Sequence, residues 1–333
     1  MPTDSNNIAR ARAHSNIAFI KYWGNRNHRL RLPANASLSM NLSELHTTTT
    51  VEWLPTIDAD TLAINGAAAS QAALDRVSAH LDVIRRRLGI RASARVSSTN
   101  NFPMGAGIAS SASAFAALTL AAVAAGRADL RERELSTLAR MGSGSAARSI
   151  PPGFVEWHAG DTHESSYAEA FVHRDHWALA DVVAVVSRRH KRTGSSAGHR
   201  EADSSALQLA RVAGADQRLA DIKAAIQSRD FGAFAEIVEE DSNLMHAVMM
   251  TSKPPLFYWD PLSLQVMQAV RDWRLGDGLR VCYTLDAGPN VHCICEAADA
   301  AAVVAKLREL SPDIEILQSG VGRGACVLPT KAV

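Results

Sequence analysis

The stretch that most constrains this chain is Asn101 to Ala114, which reads N-F-P-M-G-A-G-I-A-S-S-A-S-A. Residues 92–98 before it alternate as a strand does and end in small polar residues. Residues 113–125 after it are almost wholly Ala, Leu, Val, Phe and Thr, which predicts a buried helix. The chain is therefore expected to pass from a strand, through a glycine-rich turn, into a core helix.

The start of this predicted helix has two interpretations. Unpaired N–H groups and the positive end of a helix dipole favour an anion, so Gly105, Gly107, Ser110 and Ser111 form a candidate phosphate-binding loop. The alternative is a glycine turn that leads into a serine-capped core helix, and the spacing does not separate the two. Two better-known phosphate loops are excluded, because no Lys follows the second Gly and Ser110 stands where the dinucleotide pattern requires a third Gly.

Length and charge narrow the class of protein. The 333 residues suffice for about two domains, or for one fold with two lobes. Because 35 Lys and Arg balance 34 Asp and Glu, the overall charge indicates neither a nucleic acid nor a membrane surface as partner. The polar N-terminus lacks the apolar run of a signal peptide, and no apolar run reaches membrane-spanning length.

The cysteines fit a reducing compartment. All four lie in the last sixth of the chain, within predicted strands: Cys282, Cys293, Cys295 and Cys326. The Cys293-x-Cys295 spacing points both thiols to one face of a strand and is not a usual zinc spacing. We expect reduced core thiols and a cytoplasmic location.

Periodicity along the chain predicts an α+β fold. Helices are expected at residues 71–88, 131–140, 204–213, 217–228, 231–250, 262–274 and 298–310. Strands are expected at residues 61–65, closed by an Asn65-Gly66 hairpin turn, and at 153–157, 181–187, 279–285, 291–295, 313–318 and 325–328. The β-loop-β-α-β order near the end indicates an antiparallel sandwich rather than a doubly wound parallel sheet. A basic, then Gly/Ser-rich segment at 188–196 is interpreted as a hinge, which divides the chain into lobes 1–190 and 191–333.

Three charged residues are candidates for chemistry. Lys21 lies in an apolar context and is expected either to reach the surface or to be held inward for a phosphate. Arg148 ends a glycine-serine stretch and suits a carboxylate or phosphate, although a surface ion pair is equally consistent. Asp286 follows a strand and opens a Gly-Pro turn, where it is either functional or a turn residue that bonds its own backbone. No metal-binding His spacing and no G-x-S-x-G motif is present, which argues against metalloproteases and hydrolases.

Several motifs, in order, resemble those of the mevalonate decarboxylase branch of the GHMP kinase superfamily. The resembling stretches are N-I-A-F-I-K-Y-W-G (16–24), L-P-A-N-A-S-L-S (32–39), N-F-P-M-G-A-G-I-A-S-S-A (101–112), G-S-G-S-A-A-R-S (142–149), G-F-V-E-W (153–157), D-S-N-L-M-H-A-V (241–248), P-P-L-F-Y (254–258) and T-L-D-A-G-P-N (284–290). The resemblance implies a ribosomal-S5-like N-terminal lobe, a ferredoxin-like C-terminal lobe and an active site in the cleft between them. It also implies ATP and Mg2+ as cofactors, a phosphorylated mevalonate as substrate, and a homodimer.

The resemblance implies the following reaction and roles. ATP phosphorylates the 3-hydroxyl of 5-diphosphomevalonate, the new phosphate leaves, and CO2 departs to give isopentenyl diphosphate. Asp286 would accept or orient the hydroxyl proton, Lys21 would neutralise charge on the transferring phosphate, and Arg148 would bind the substrate carboxylate. Further substrate-binding positions are Asn16, Tyr22, Asn25, Ser145 and His199. ATP phosphates would be held by Pro103, Gly105, Ala106, Gly107, Ser110 and Ser111, with Ser111 also reaching Mg2+.

Two departures from the family pattern leave the substrate open. Family members commonly have a second Lys where Asn25 stands, and a Met where His199 stands. Loss of a cation associated with the diphosphate chain raises the alternative that 5-phosphomevalonate is preferred, unless Arg26 or His199 compensates. A kinase that stops at the phosphorylated mevalonate and an inactive scaffold that binds another protein through the cleft are further alternatives. Lys21, Ser111, Arg148 and Asp286 are all retained, which argues against the scaffold.

Overall fold

The computed structural model of the chain describes residues 7–102, 110–188 and 194–329. Its strands are β1 (Ile8–Ile20), β2 (Asn25–Asn27), β3 (Leu32–Pro33), β4 (Ser37–Leu54), β5 (Thr61–Ile64), β6 (Ala67–Ala68), β7 (Ser93–Asn100), β8 (Phe154–Trp157), β9 (Ala168–Val172), β10 (Leu179–Val185), β11 (Val281–Thr284), β12 (Val291–Glu296), β13 (Glu315–Gly320) and β14 (Cys326–Leu328). Its α-helices are α1 (Gln71–Leu88), α2 (Ser110–Ala125), α3 (Glu132–Gly142), α4 (Ser195–Glu201), α5 (Gln208–Ala213), α6 (Ala215–Ser228), α7 (Phe231–Thr251), α8 (Pro261–Gly276) and α9 (Ala300–Leu310). Short 3-10 turns span Gly144–Ser149, Ala202–Ser204 and Ala297–Asp299.

The long strand β4 organises the first sheet, whose order is β14-β1-β4-β7-β5-β6. Its first half pairs with β8 and its second half with β7, while β1 runs antiparallel along its other edge. Helix α2 packs on β1 and β4, and its Ala-rich surface is buried nearly all round. Small side chains let this helix lie close to the sheet, which explains why its sequence shows no polar face. The predicted buried core helix is confirmed.

The second sheet is antiparallel and has the order β11-β12-β10-β13. Helices α8 and α9 cover one face, where Val182, Val266 and Val303 share a buried cluster. Residues of α6 and α7 cover the other face, and Phe234 of α7 packs edge-on to Phe19 of β1 in the first lobe. The α+β fold of the GHMP type, with an antiparallel sheet in its C-terminal half, is confirmed.

The chain passes between the two sheets at other places than residue 190, where the sequence predicts the boundary between the lobes. Strand β10 already belongs to the second sheet, and β14 returns to pair with β1 at the edge of the first sheet. The chain therefore enters the second sheet before residue 190 and leaves it again after β13. The lobe boundaries 1–190 and 191–333 stay a prediction.

Local signals in the sequence translate directly into structure at several places. Helix α1 has the predicted bounds and ends at Gly89, which has a φ of 70°. Asn65 and Gly66, with φ of 51° and 81°, form the predicted turn between β5 and β6, because both positions of such a turn need positive φ. Among the described residues, no helix is both long and apolar enough to cross a membrane.

The cysteine prediction holds for three residues and is wrong for the fourth. Cys282, Cys293 and Cys295 are buried thiols, and Cys293 and Cys295 share one face of β12 in the same cluster. Cys326 is exposed. Its strand, β14, lies at the edge of the first sheet and its first two residues are exposed, so a strand pattern alone does not imply burial there.

A buried carboxylate on α7 connects the two lobes. Asp241 accepts a hydrogen bond from the backbone N–H of Lys21 at 2.6 Å and one from Nε of Arg218 at 2.8 Å. The Asp241 side chain is 0 % exposed and that of Arg218 is 11 % exposed. A buried ion pair becomes strongly destabilising when one partner is removed, because the other charge stays buried without compensation.

We predict that Asp241→Ala lowers the free energy of unfolding by about 3–5 kcal/mol, because Arg218 would lose its buried partner. Urea denaturation of the purified protein measures this change. Glu240→Ala is the matched control: this neighbouring carboxylate is exposed, and its removal should change stability by no more than about 0.5 kcal/mol. Equal midpoints for the two variants would contradict the role assigned to Asp241.

Candidate functional site

A cavity of about 490 Å³ lies between the two lobes and collects most of the residues predicted from the sequence. The first lobe contributes Lys21, Tyr22, Ser110, Ser111, Ser145 and Arg148 to its lining, and the second contributes His199 and Asp286. Asn16 and Asn25 are buried and form hydrogen bonds with Arg148 and Tyr22, which line the cavity. Pro103, Gly105, Ala106 and Gly107 lie outside the described residues.

Lys21 and Asp286 form an ion pair across the cleft. Lys21 Nζ donates to Asp286 Oδ1 at 2.8 Å. The Lys21 side chain is 1 % exposed and that of Asp286 is 28 % exposed, so the carboxylate is the more open member of the pair. The expectation that Lys21 reaches the surface is wrong, because the end of β1 is covered on both faces. The Asp286 side chain contacts the opposite lobe instead of capping its own turn.

Helix α7 fixes the backbone of Lys21 and that of Leu285, the residue before Asp286. Asp241 binds the N–H of Lys21, and Asn35 Nδ2 donates to the carbonyl of Lys21 at 3.0 Å. Ser242, the next residue on α7, accepts a hydrogen bond from the N–H of Leu285 at 3.0 Å. Two adjacent residues of one helix therefore fix the chain beside Lys21 and beside Asp286.

The environment keeps Asp286 ionised. Burial by itself would raise the pKa of this carboxyl, but the Lys21 ammonium opposes that effect, with smaller contributions from His292 and Arg148. The result is a pKa below the ordinary value, so at neutral pH Asp286 is an acceptor of hydrogen bonds. A bound hydroxyl group that faces its free oxygen would donate to it.

Arg148 is buried without a carboxylate partner among the residues that the structure describes. Its Nη1 donates to Ser37 Oγ at 2.7 Å and its Nε to Asn16 Oδ1 at 3.3 Å. Asn16 in turn donates to the carbonyl of Ser145 at 3.1 Å, which fixes the glycine-serine segment beside the guanidinium. Burial lowers the pKa of Arg148 to about 10, so the group stays charged at neutral pH. A buried cation held only by neutral groups favours an anionic ligand.

Tyr22 lines the cavity and is held by contacts on several sides. Its hydroxyl donates to Asn25 Oδ1 at 2.6 Å, and burial raises its pKa to about 12. His199 stacks on the Tyr22 ring at 4.1 Å and accepts a hydrogen bond from the N–H of Gly24. A Cβ on Gly144 would lie 2.4 Å from the Tyr22 ring, which explains the glycine at this position.

The N-terminus of α2 opens into the cavity, with Ser110 and Ser111 in its first turn. Ser111 Oγ lies 3.4 Å from Ser143 Oγ of the second glycine-serine stretch. The N–H groups of a helix start and serine hydroxyls suit phosphate oxygens. The two predicted phosphate residues that the structure describes are therefore directed to the same space as Lys21 and Asp286.

Two arginines of the cavity were missed in the sequence. Arg31 reaches it from the hairpin between β2 and β3, and Arg76 reaches it from α1. Neither lies in a motif, and a charged residue on a helix or in a polar loop normally indicates a solvated surface. Their position in the cavity depends on how α1 and the hairpin pack, which no local pattern reports.

The chain is similar to proteins of one family over most of its length. A family model described as the diphosphomevalonate decarboxylase-like N-terminal domain matches residues 13–168, and one for the mevalonate 5-diphosphate decarboxylase C-terminal domain matches residues 181–326. The chain is 38 % identical to a diphosphomevalonate decarboxylase of Ganoderma lucidum over 85 % of this chain and 76 % of that protein. It is 37 % identical to that of Homo sapiens over 83 % and 72 %.

Solved structures of similar proteins superpose on nearly the whole of this chain. A structure of MDDEF in complex with MVAPP, AMPPCP and magnesium superposes with a TM-score of 0.92 at 35 % identity, covering 97 % of this chain and 99 % of that one. The mevalonate diphosphate decarboxylase of Staphylococcus aureus gives a TM-score of 0.91 at 36 % identity, with 97 % and 98 % covered.

We predict that Lys21→Met raises the pKa of Asp286, because the effect of burial on the carboxyl is then opposed by weaker charges only. A carboxyl-carbon NMR titration measures the change, with the resonance assigned by its loss in Asp286→Asn. Lys306→Met, which removes a lysine paired with Asp277, is the control and should leave Asp286 unchanged. An Asp286 pKa that is the same in wild type and Lys21→Met would contradict the ion pair.

Proposed function

The chain belongs to the diphosphomevalonate decarboxylase family, and we propose that it converts 5-diphosphomevalonate and ATP into isopentenyl diphosphate, ADP, phosphate and CO2. The observation that supports this proposal best is the Lys21–Asp286 pair, which faces the same cavity as Arg148 and the start of α2. A base, two cations and a phosphate-binding helix end are the groups that this reaction needs in one place.

The substrate carries a carboxylate at one end and phosphates at the other, with a tertiary hydroxyl between. In our proposal Arg148 binds the carboxylate, because its planar guanidinium is buried and, among the described residues, hydrogen-bonds to neutral groups only. Asn16 holds the guanidinium in place, and Ser145 lies beside it. This arrangement directs the hydroxyl-bearing carbon towards Asp286.

Asp286 then accepts the proton of the 3-hydroxyl as that oxygen attacks the terminal phosphate of ATP. The carboxylate is ionised and open to the cavity on one side, so it can receive this hydrogen bond. Lys21 stabilises the charge that develops on the transferring group, since its ammonium already lies within hydrogen-bond distance of Asp286. Phosphorylation makes the tertiary oxygen a good leaving group, and its departure with loss of CO2 forms the double bond.

The residues at the start of α2 fit ATP phosphates and Mg2+. Ser110 and Ser111 offer hydroxyls and helix N–H groups to the cavity, which suit phosphate oxygens and a hard cation. Among the described residues no cluster of His, Cys, Asp and Glu forms a metal site by itself, so the ion would be held jointly with phosphate oxygens. When bound, Mg2+ supplies neutralisation of the phosphate charge. A homodimer and a cytoplasmic location stay predictions.

The direct test is an assay with ATP, Mg2+ and 5-diphosphomevalonate that follows ADP and CO2 together. The proposal predicts one CO2 for each ADP. Formation of ADP without CO2 would overturn it and assign the protein to kinases that phosphorylate a mevalonate and stop there.

We predict that Asp286→Asn folds normally but lowers kcat by about 100- to 10,000-fold, the usual range for loss of a general base. Steady-state CO2 release measures the loss, and circular dichroism checks the fold. Asp313→Asn, at an exposed carboxylate between α9 and β13, is the control and should retain wild-type turnover. Near-normal kcat in Asp286→Asn would refute its assignment as the catalytic base.

A further inference from the structure

Two arginines in the cavity have no acidic partner among the residues that the structure describes. Arg31 and Arg76 both line it, and neither takes part in a salt bridge within the described chain. Burial lowers the pKa of Arg76, and the charge of Arg31 lowers it further. The two guanidinium groups are therefore close enough for their charges to interact. Like charges brought together in a cleft indicate an anion that is bound between them.

This pair of arginines is separate from the cations that surround Asp286. The charge of Arg31 acts on Tyr22, Arg76 and His80, whereas the principal charges on Asp286 are those of Lys21, His292 and Arg148. Tyr22, Arg31 and Arg148 all line the same cavity, and the charges of both arginines act on the Tyr22 hydroxyl. A substrate bound through its carboxylate at Arg148 therefore shares one cavity with Arg31.

The backbone and one nitrogen of Arg31 fix its side chain. Arg31 has a φ of 49°, in the left-handed region that non-glycine residues rarely adopt, and its Nε donates to the carbonyl of Met141 at 2.9 Å. Its two terminal nitrogens have no hydrogen-bond partner among the described residues. An observed backbone outlier beside a binding cavity is consistent with a functional constraint.

The other candidates on this side of the cavity are already engaged. Asn25 is 8 % exposed and receives the hydrogen bond of Tyr22, so it does not face the cavity. Arg26 forms a salt bridge with Asp161 at 2.9 Å and donates to the carbonyl of Pro33, on the outer side of the hairpin. The compensation by Arg26 considered from the sequence therefore has no support in its contacts.

We propose that Arg31 is the specificity-determining residue that binds the terminal phosphate of a diphosphate substrate, in place of the cation that Asn25 lacks. The inference rests on the proposed function. It adds that the enzyme recognises the phosphate end of the substrate and that Arg31 is the residue that binds it. It favours 5-diphosphomevalonate over 5-phosphomevalonate, because only the diphosphate carries a second phosphate beyond the one attached to C5.

Arg31→Gly tests this assignment, since glycine adopts a φ of 49° without strain and the variant should fold. We expect kcat/KM for 5-diphosphomevalonate to fall about 10- to 100-fold, the loss of one charged hydrogen bond, and that for 5-phosphomevalonate to fall less than about threefold. Arg31→Lys should recover part of the preference. Arg26→Gln, which removes the other arginine of the hairpin, should behave as wild type.

An equal loss with both substrates, or a raised KM for ATP alone, would overturn the inference and leave the proposed function intact. Calorimetric binding of the two mevalonates to wild type and Arg31→Gly repeats the comparison without turnover. A different outcome would overturn the proposed function alone: the wild-type protein is inactive but binds the diphosphate more tightly than the monophosphate, and Arg31→Gly loses this preference. Wild-type protein that binds both mevalonates equally well would overturn the inference.

Discussion

The active site depends on two adjacent residues of α7, Asp241 and Ser242. The Asp241 carboxylate binds the N–H of Lys21 from the first lobe, and the Ser242 hydroxyl binds the N–H of Leu285 from the second. These contacts fix the backbone on each side, and the Lys21 and Asp286 side chains lie 2.8 Å apart between them. Catalytic groups that are held on rigid elements in this way have their reactive geometry before the substrate binds.

The described lining of the cleft carries more cations than carboxylates, which fits a reaction between two polyanions. Lys21, Arg31, Arg76 and Arg148 all line the cavity, whereas Asp286 is the acidic residue of its described lining. Lys21 alone of the four cations is paired with that carboxylate. Guanidinium groups that have no carboxylate partner in the described part of the chain are stabilised when a polyanion binds in a partly desolvated cleft, which fits a substrate that carries a carboxylate and phosphates.

Sequence reasoning succeeded where local periodicity determines structure. The bounds of α1, the Asn65-Gly66 turn and the buried helix α2 follow from spacing and glycine placement alone. It failed where long-range packing decides: Arg31 and Arg76 enter the cavity from elements with no motif, and exposed Cys326 lies on an edge strand. The roles of Lys21, Arg148 and Asp286 came from the family resemblance, because each residue taken singly also fits an ordinary structural position.

The central claim is that Lys21 and Asp286 act as one unit across the two lobes. A double-mutant cycle on kcat/KM with Lys21→Met, Asp286→Asn and the combined variant tests it most directly. Residues that act as a unit show strongly non-additive losses. The account predicts that the double variant is less than about threefold worse than the more damaged single variant. Losses that multiply in full would show that the two side chains act independently and would contradict it.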